Sequence, residues 1–282
     1  VISVIVLSLL TGCSVIGKYF DKDEPTFDIQ LDYRDWTPSA TEEAALEQAR
    51  ERWEAVIIEG LIDDSVYITQ EMVDGDGADT PCRTYDDSVD DLIVFVSIDS
   101  TIPARAAGRA CLIRDYSPYL TLAGGILLHP SLLDGGDDAD DLMNTFTHEL
   151  GHVLGLKSGV WNVDVDNDGT WERNLLPGIN SGCPDSDQQI FFQGDEAKDA
   201  WQDLGGSGKV PMEEDGALGT RCEHWDKDWL GSEVMTGWGA EGEDERPLSI
   251  VSVMALKDMG YKVDSSQAEP FELSDPDADT AQ

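Results

Sequence analysis

The chain has 282 residues, of which 58 are acidic and 18 basic, for a formal net charge of -40. Its hydrophobic share of 40% is enough to build a core and argues against wholesale disorder. The charge argues against a nucleic-acid partner, because phosphate binding needs a basic surface. It fits either a heavily solvated surface suited to salt or calcium, or a field that draws in cationic substrates.

In chain order, the first segment reads VISVIVLSLLTGCS. Its apolar run is too short to span a bilayer but matches the hydrophobic region of a secretion signal. Residues Leu10 to Cys13, LTGC, resemble the lipobox of bacterial lipoproteins. That resemblance implies cleavage after residue 12, lipid on the Cys13 thiol, export, and a place on the bacterial cell envelope, the outer membrane or outside the cell. Residues 13–38 read as a tether. Ser39 and Glu42 form a capping-box pattern. Behind them Leu46, Ala49, Trp53, Val56 and Ile57 recur at helical spacing, which predicts an amphipathic helix to about Gly60. DLIVFVSID predicts a buried strand over 92–98, and GGILLHP another near 124–129. Pro130 argues that the latter lies at a sheet edge.

Beyond an acidic loop, Leu142, Phe146, Leu150 and Val153 give a helix over 139–154 its core face, with Asp residues suited to its start. Gly155 stands where a left-handed helix end is expected. Residues 157–221 are rich in Gly, Asp and Pro and weak in periodicity. LSIVSVMALKDMGY predicts a last helix ending at Gly260, and 266–282 read as an acidic disordered tail. With Cys13 set aside, Cys82, Cys111, Cys183 and Cys222 remain. In an exported chain an even number suggests two disulfides, with three possible connectivities. Sequence order favours Cys82–Cys111 and Cys183–Cys222, each closing a local loop.

The chemistry is concentrated in THELGHVLGLKS. His148 and His152 are four residues apart on a helix and can direct two imidazoles at one zinc ion. Glu149 neighbours that face and can act as general base. A catalytic zinc needs a third protein ligand, and compact motifs place it where this chain has Ser158, a poor one. Two further histidines exist, His129 and His224. A downstream carboxylate such as Glu196 is a rival. DVDNDG brings Asp164, Asp166 and Asp168 with Gly169 into the first half of a calcium-loop pattern, but Leu175 stands where such a loop would place its bidentate Glu.

The set HExxH, Gly155, HW at His224 and MTG at Met235 resembles the leishmanolysin-type metzincin peptidases. The closing pattern Leu248, Ser249, Ala255, Asp258, Gly260 adds to it. The resemblance covers roughly residues 120–262. It implies that His224 is the third zinc ligand, displaced by an insertion at about 157–221, and that Met235 forms an apolar floor under the metal. It implies an α/β (α+β) metzincin-like domain over 39–265 with a twisted mixed sheet, and a strand near 124–129 lining the cleft. It further implies a zinc endopeptidase acting on protein or peptide substrates; the chain is read as a monomer, and the lipobox resemblance implies its membrane anchor. Trp238 stands where the family would carry an oxyanion-donating Tyr. The alternative is a non-catalytic calcium- or zinc-binding adhesion lipoprotein with a relic site; the retained Glu149 argues against it.

Overall fold

The computed structural model describes residues 26–274, except 76–79, 134–138, 165, 167, 178, 180–182, 185–187, 217–218 and 238–245. Cys13 and the lipobox, and Trp238, lie outside the described residues. The elements are β1 (Ile29–Tyr33), α1 (Ala40–Val56), β2 (Asp64–Ile68), α2 (Gln70–Gly75), β3 (Tyr85–Val89), β4 (Leu92–Ile98), β5 (Ala106–Ile113) and β6 (Thr121–Leu128). They continue with α3 (Ala139–Leu154), α4 (Ser158–Trp161), β7 (Asn162–Val163), β8 (Arg173–Asn174), β9 (Phe191–Phe192), α5 (Asp195–Asp203), β10 (Val210–Pro211), α6 (Lys227–Leu230) and α7 (Ile250–Met259).

The fold is α+β around a mixed four-stranded sheet in the order β1-β4-β6-β5. β1 and β6 each run parallel to β4, while β5 is antiparallel to β6. Leu92, Val94 and Val96 of β4 and Ile126 and Leu128 of β6 face α1 and α3 in the main core. Ile93 and Phe95 point the other way, and with Leu122 and Ala123 they form a smaller core with Val66, Ile68 and Val89 of the β2–β3 hairpin. A strand buried on both faces reads as a continuous apolar run, as β4 does.

Three expectations are corrected here. β6 is internal, between β4 and β5, and the edge strand is β5. Pro130 lies beyond the ladder and opens a 3-10 turn capped by His129, so it costs the sheet no hydrogen bond. The expected tether at 13–38 contains β1, whose Phe27 and Ile29 are buried. The alternation Phe27, Ile29, Leu31, Tyr33 is the period of a strand, and it sits among acids that obscure it. The tail expected to be disordered over 266–282 is built into the fold as far as it is described, to residue 274, and residues 265–267 form a 3-10 turn. Ala268, Phe271 and Leu273 then pack on the core, Glu269 pairs with Arg52, and Ser274 N–H donates to Trp229 O.

α1 opens with the expected capping box of Ser39 and Glu42 and ends at Val56, where Ile57 bridges to Val263. Trp53, fully buried, donates its indole N–H to Thr147 O on α3. The stretch 157–221 is assembled from small pieces around an aromatic cluster. Trp161, Phe192 and Trp225 stand 5.3–5.6 Å apart by ring centroids. Arg173 donates to Val160 O, Pro118 O, Tyr119 O and Met259 O. Asp258 of α7 accepts the N–H groups of Glu196 and Ala197 and so caps α5.

Disulfides join Cys82 to Cys111 and Cys183 to Cys222. Such bonds belong to an oxidising environment. Among the described residues, no helix is long and apolar enough to cross a membrane. Because the second bridge spans 39 residues of the loosely built stretch, replacing Cys183 and Cys222 together by Ser is expected to lower stability by about 2–4 kcal/mol. Urea unfolding of the variant against wild type checks this.

Candidate metal centre

α3 places His148, Glu149 and His152 in the interior, with relative exposures of 9%, 6% and 4%. It ends in a tight turn at Gly155. Gly155 has φ 111, and Leu156 N–H donates to Gly151 O while Gly155 N–H donates to His152 O. This is a helix end that favours glycine. A Cβ there would also press on Val160 Cγ1 at 2.8 Å. The turn leaves Leu156 O free to accept the Nδ1–H of His152 at 2.8 Å.

His224 returns from the far side of the long stretch, and its Nε2 lies 3.0 Å from His152 Nε2 and 3.1 Å from His148 Nε2. The rings of His148 and His224 are nearly parallel, and that of His152 is close to perpendicular to both. Each Nδ1 faces a backbone carbonyl: Val234 O for His148 at 2.6 Å, Leu156 O for His152, and Thr220 O for His224 at 2.8 Å. A carbonyl only accepts, so each Nδ1 carries the proton and each Nε2 presents a lone pair. Burial, together with neighbouring imidazoles, holds His148 and His152 well below the usual histidine range. Burial brings His224 down to about 4.

Three neutral acceptors thus converge with no donor among them. They could hold a metal ion. Nitrogens about 2.0–2.1 Å from a tetrahedral ion stand roughly 3.3 Å from one another, close to the spacing seen here. Backbone carbonyls on the outer nitrogens are the arrangement that fixes tautomer and ring orientation in metal-binding histidines.

Glu149 lies beside this group. Burial pushes its carboxyl up to about 7, against a hydrogen bond from the Gly108 backbone N–H. Gly108 belongs to edge strand β5, and a Cβ there would stand 2.5 Å from Glu149 O and 3.0 Å from Glu149 Oε2. Only glycine lets the strand come this close to the helix. On the other side of α3, Met235 is 2% exposed, and a Cβ on Gly151 would collide with its sulfur. Met235 therefore packs directly under the helix turn that carries the two histidines.

The turn bearing Met235 is held by Glu233, which is fully buried. Its carboxylate accepts from Met235 N–H at 2.5 Å, Ser249 N–H at 3.2 Å, Ser249 Oγ at 2.9 Å and Ser252 Oγ at 2.6 Å. Ser252 Oγ also accepts from the indole of Trp225, the residue after His224. Sequence reading singled out Met235 and missed Glu233, Gly108 and the carbonyls of Val234 and Thr220. The only available signal was the acid two residues before Met235.

The remaining candidates lie elsewhere. His129 Nδ1 interacts with Ser131 at the 3-10 turn. Glu196 pairs with Lys257 at 3.0 Å, away from the histidines, which removes it as a rival ligand. Ser158 is not a ligand either, since its hydroxyl donates to Glu223. The carboxylates of Asp164, Asp166 and Asp168 do come together. They accept N–H groups from Asp168, Gly169 and Thr170 within the same turn.

No model of a known protein family matches the chain, and no curated protein matches it in sequence. The site's reading rests on its own geometry. His224→Ala is expected to remove bound metal as fully as His152→Ala does, while His129→Ala leaves it at wild-type content. Elemental analysis of folded variants decides, and a folded His224→Ala protein with full metal would refute the assignment.

Proposed function

We propose that the protein is a zinc-dependent endopeptidase of the leishmanolysin-like metzincin kind, acting on extracellular or cell-surface proteins. The observation that carries this reading is the convergence of the three Nε2 lone pairs of His148, His152 and His224 beside the buried carboxyl of Glu149. A zinc ion bound there would supply Lewis-acid polarisation of a peptide carbonyl and would acidify water. The residues themselves do the rest. Glu149 takes a proton from the attacking water and passes it to the leaving amine, a role suited to a carboxyl whose affinity for protons burial has raised. It needs no place among the ligands to do so.

The open edge of β5, next to Glu149 through Gly108, suits an extended peptide added as a further strand. This moves the cleft wall from the strand expected near 124–129 to β5. A buried Met235 beneath Gly151 supports the apolar-floor role.

Export and a lipid on Cys13 belong to the same proposal, supported by the LTGC sequence and by the two disulfides. Calcium at Asp164, Asp166 and Asp168 is a separable element of it, supported by the convergence of their carboxylates.

Glu149→Gln keeps shape and is not a ligand. It is expected to retain the metal and to lose about 10²–10⁴-fold in turnover on an unfolded protein substrate such as casein. Turnover within a few-fold of wild type would contradict the role of Glu149. Wild type and variant equally inert on every substrate would favour a non-catalytic surface protein that keeps its metal. For the anchor, a Cys13→Ala chain that is still exported is expected to leave the membrane fraction; if it stays there, the lipid is not what holds it.

A further inference from the structure

Ser158 stands where a compact motif would carry its third ligand, and the structure gives it a different partner. Its hydroxyl donates to Glu223 Oε1 at 3.1 Å, and the Lys157 ammonium lies 2.9 Å from Glu223 Oε2. Glu223 immediately precedes His224. The residues at which the chain leaves α3 are therefore tied, through one carboxylate, to the residues at which it returns with the third imidazole.

The other side of this return is also fixed. Cys222 is bonded to Cys183 and has φ 63, in the left-handed region. Its N–H donates to Glu213 O, and Glu213 N–H donates to His224 O, both at 2.9 Å. Residues 222–224 are thus held between the backbone at Glu213 and the Lys157–Ser158 pair.

We infer that Lys157, Ser158 and Glu223 form a latch that sets His224 against the His148–His152 pair, making Glu223 a positioning residue for the third ligand. The serine at 158 thereby serves the histidine that replaces it. This inference rests on the metal-centre reading given above.

A partly exposed pair of this kind adds little to global stability, so a positioning role and a merely structural one separate cleanly. The test uses the full chain freed of metal by a chelator, with zinc affinity measured by competition against a chromophoric chelator. Glu223→Gln is expected to weaken zinc binding roughly 10-fold, by analogy with outer-shell partners of metal ligands. Ser158→Ala should act in the same direction and less. The double variant should be no worse than Glu223→Gln, because the two act through one contact. The unfolding midpoint of the metal-free protein should move by no more than about 2–4 °C. The visible spectrum of the cobalt form should change in Glu223→Gln. Glu223→Gln with zinc affinity within about two-fold of wild type would overturn the latch. So would a weakening matched by a comparable loss of stability in the metal-free protein. A wild-type chain that binds no zinc fails in a different arm of the experiment: it overturns the metal-centre reading, and the latch with it.

Discussion

Three imidazole lone pairs facing one another at about 3 Å in the buried interior are the constraint to which the rest of the molecule answers. Such an arrangement does not arise from packing alone. Each ring must be held from behind, by a group that only accepts, and that is what Val234 O, Leu156 O and Thr220 O do. The three carbonyls come from three separate segments. One follows the left-handed glycine at the end of α3, one lies in the turn before Met235, and one precedes the third histidine. A cation at the centre would relieve the repulsion and make each carbonyl bond stronger, since a metal-bound imidazole is a better donor at its outer nitrogen.

Holding those segments in register falls to a second interior group. Glu233 is a buried carboxylate with four donors aimed at it, so it is fully engaged although, among the described residues, it pairs with no cation. Burial raises its affinity for protons and the four donors oppose that. A carboxylate suits the place better than an amide, because every partner there donates and an amide would turn an N–H₂ toward one of them. Through Ser252 the same network reaches Trp225, and through Trp225 the aromatic cluster with Trp161 and Phe192. The turn under the helix, His224 and the long stretch are therefore parts of one packed unit.

How much of this could be read in advance follows from the physical form of each signal. α1, α3, α7 and β4 announce themselves by periodicity and caps, and their observed limits fall within a few residues of the expected ones. The two disulfides follow from closeness in sequence. His224 was reachable by elimination among four histidines together with the resemblance carried by its neighbours. β1 was missed because its alternation is embedded in acidic residues. β6 was placed at an edge because a proline just past a strand looks the same in sequence as one inside it. The two-residue strands β7 to β10 are too short for any period, and they lie beside the tertiary contacts of Trp161, Phe192 and Arg173, which sequence does not announce. Glu223 carries no signal among 58 acids, and Glu233 only its place two residues before Met235, since what distinguishes them is the donors around them.

The charge balance, which first suggested a surface property, has a counterpart inside. Several of the scarce basic residues serve as internal braces. Arg114 donates to Thr121 O and Asp91 O, Arg173 to four carbonyls, Arg52 to Arg246 O, and Arg246 to Thr236 O. A guanidinium offers five donors in a fixed fork, so one side chain can satisfy carbonyls from segments far apart in sequence. Arg173 shows the cost, since burial brings it down to about 10. Contacts of this kind are shielded from salt, whereas repulsion among surface carboxylates is screened by it. A chain this acidic is thus pushed apart at its surface most strongly at low ionic strength, while the buried arginine braces keep their strength. The two effects lie in different places: many of the carboxylates face solvent, whereas Arg114 and Arg173 act from the interior.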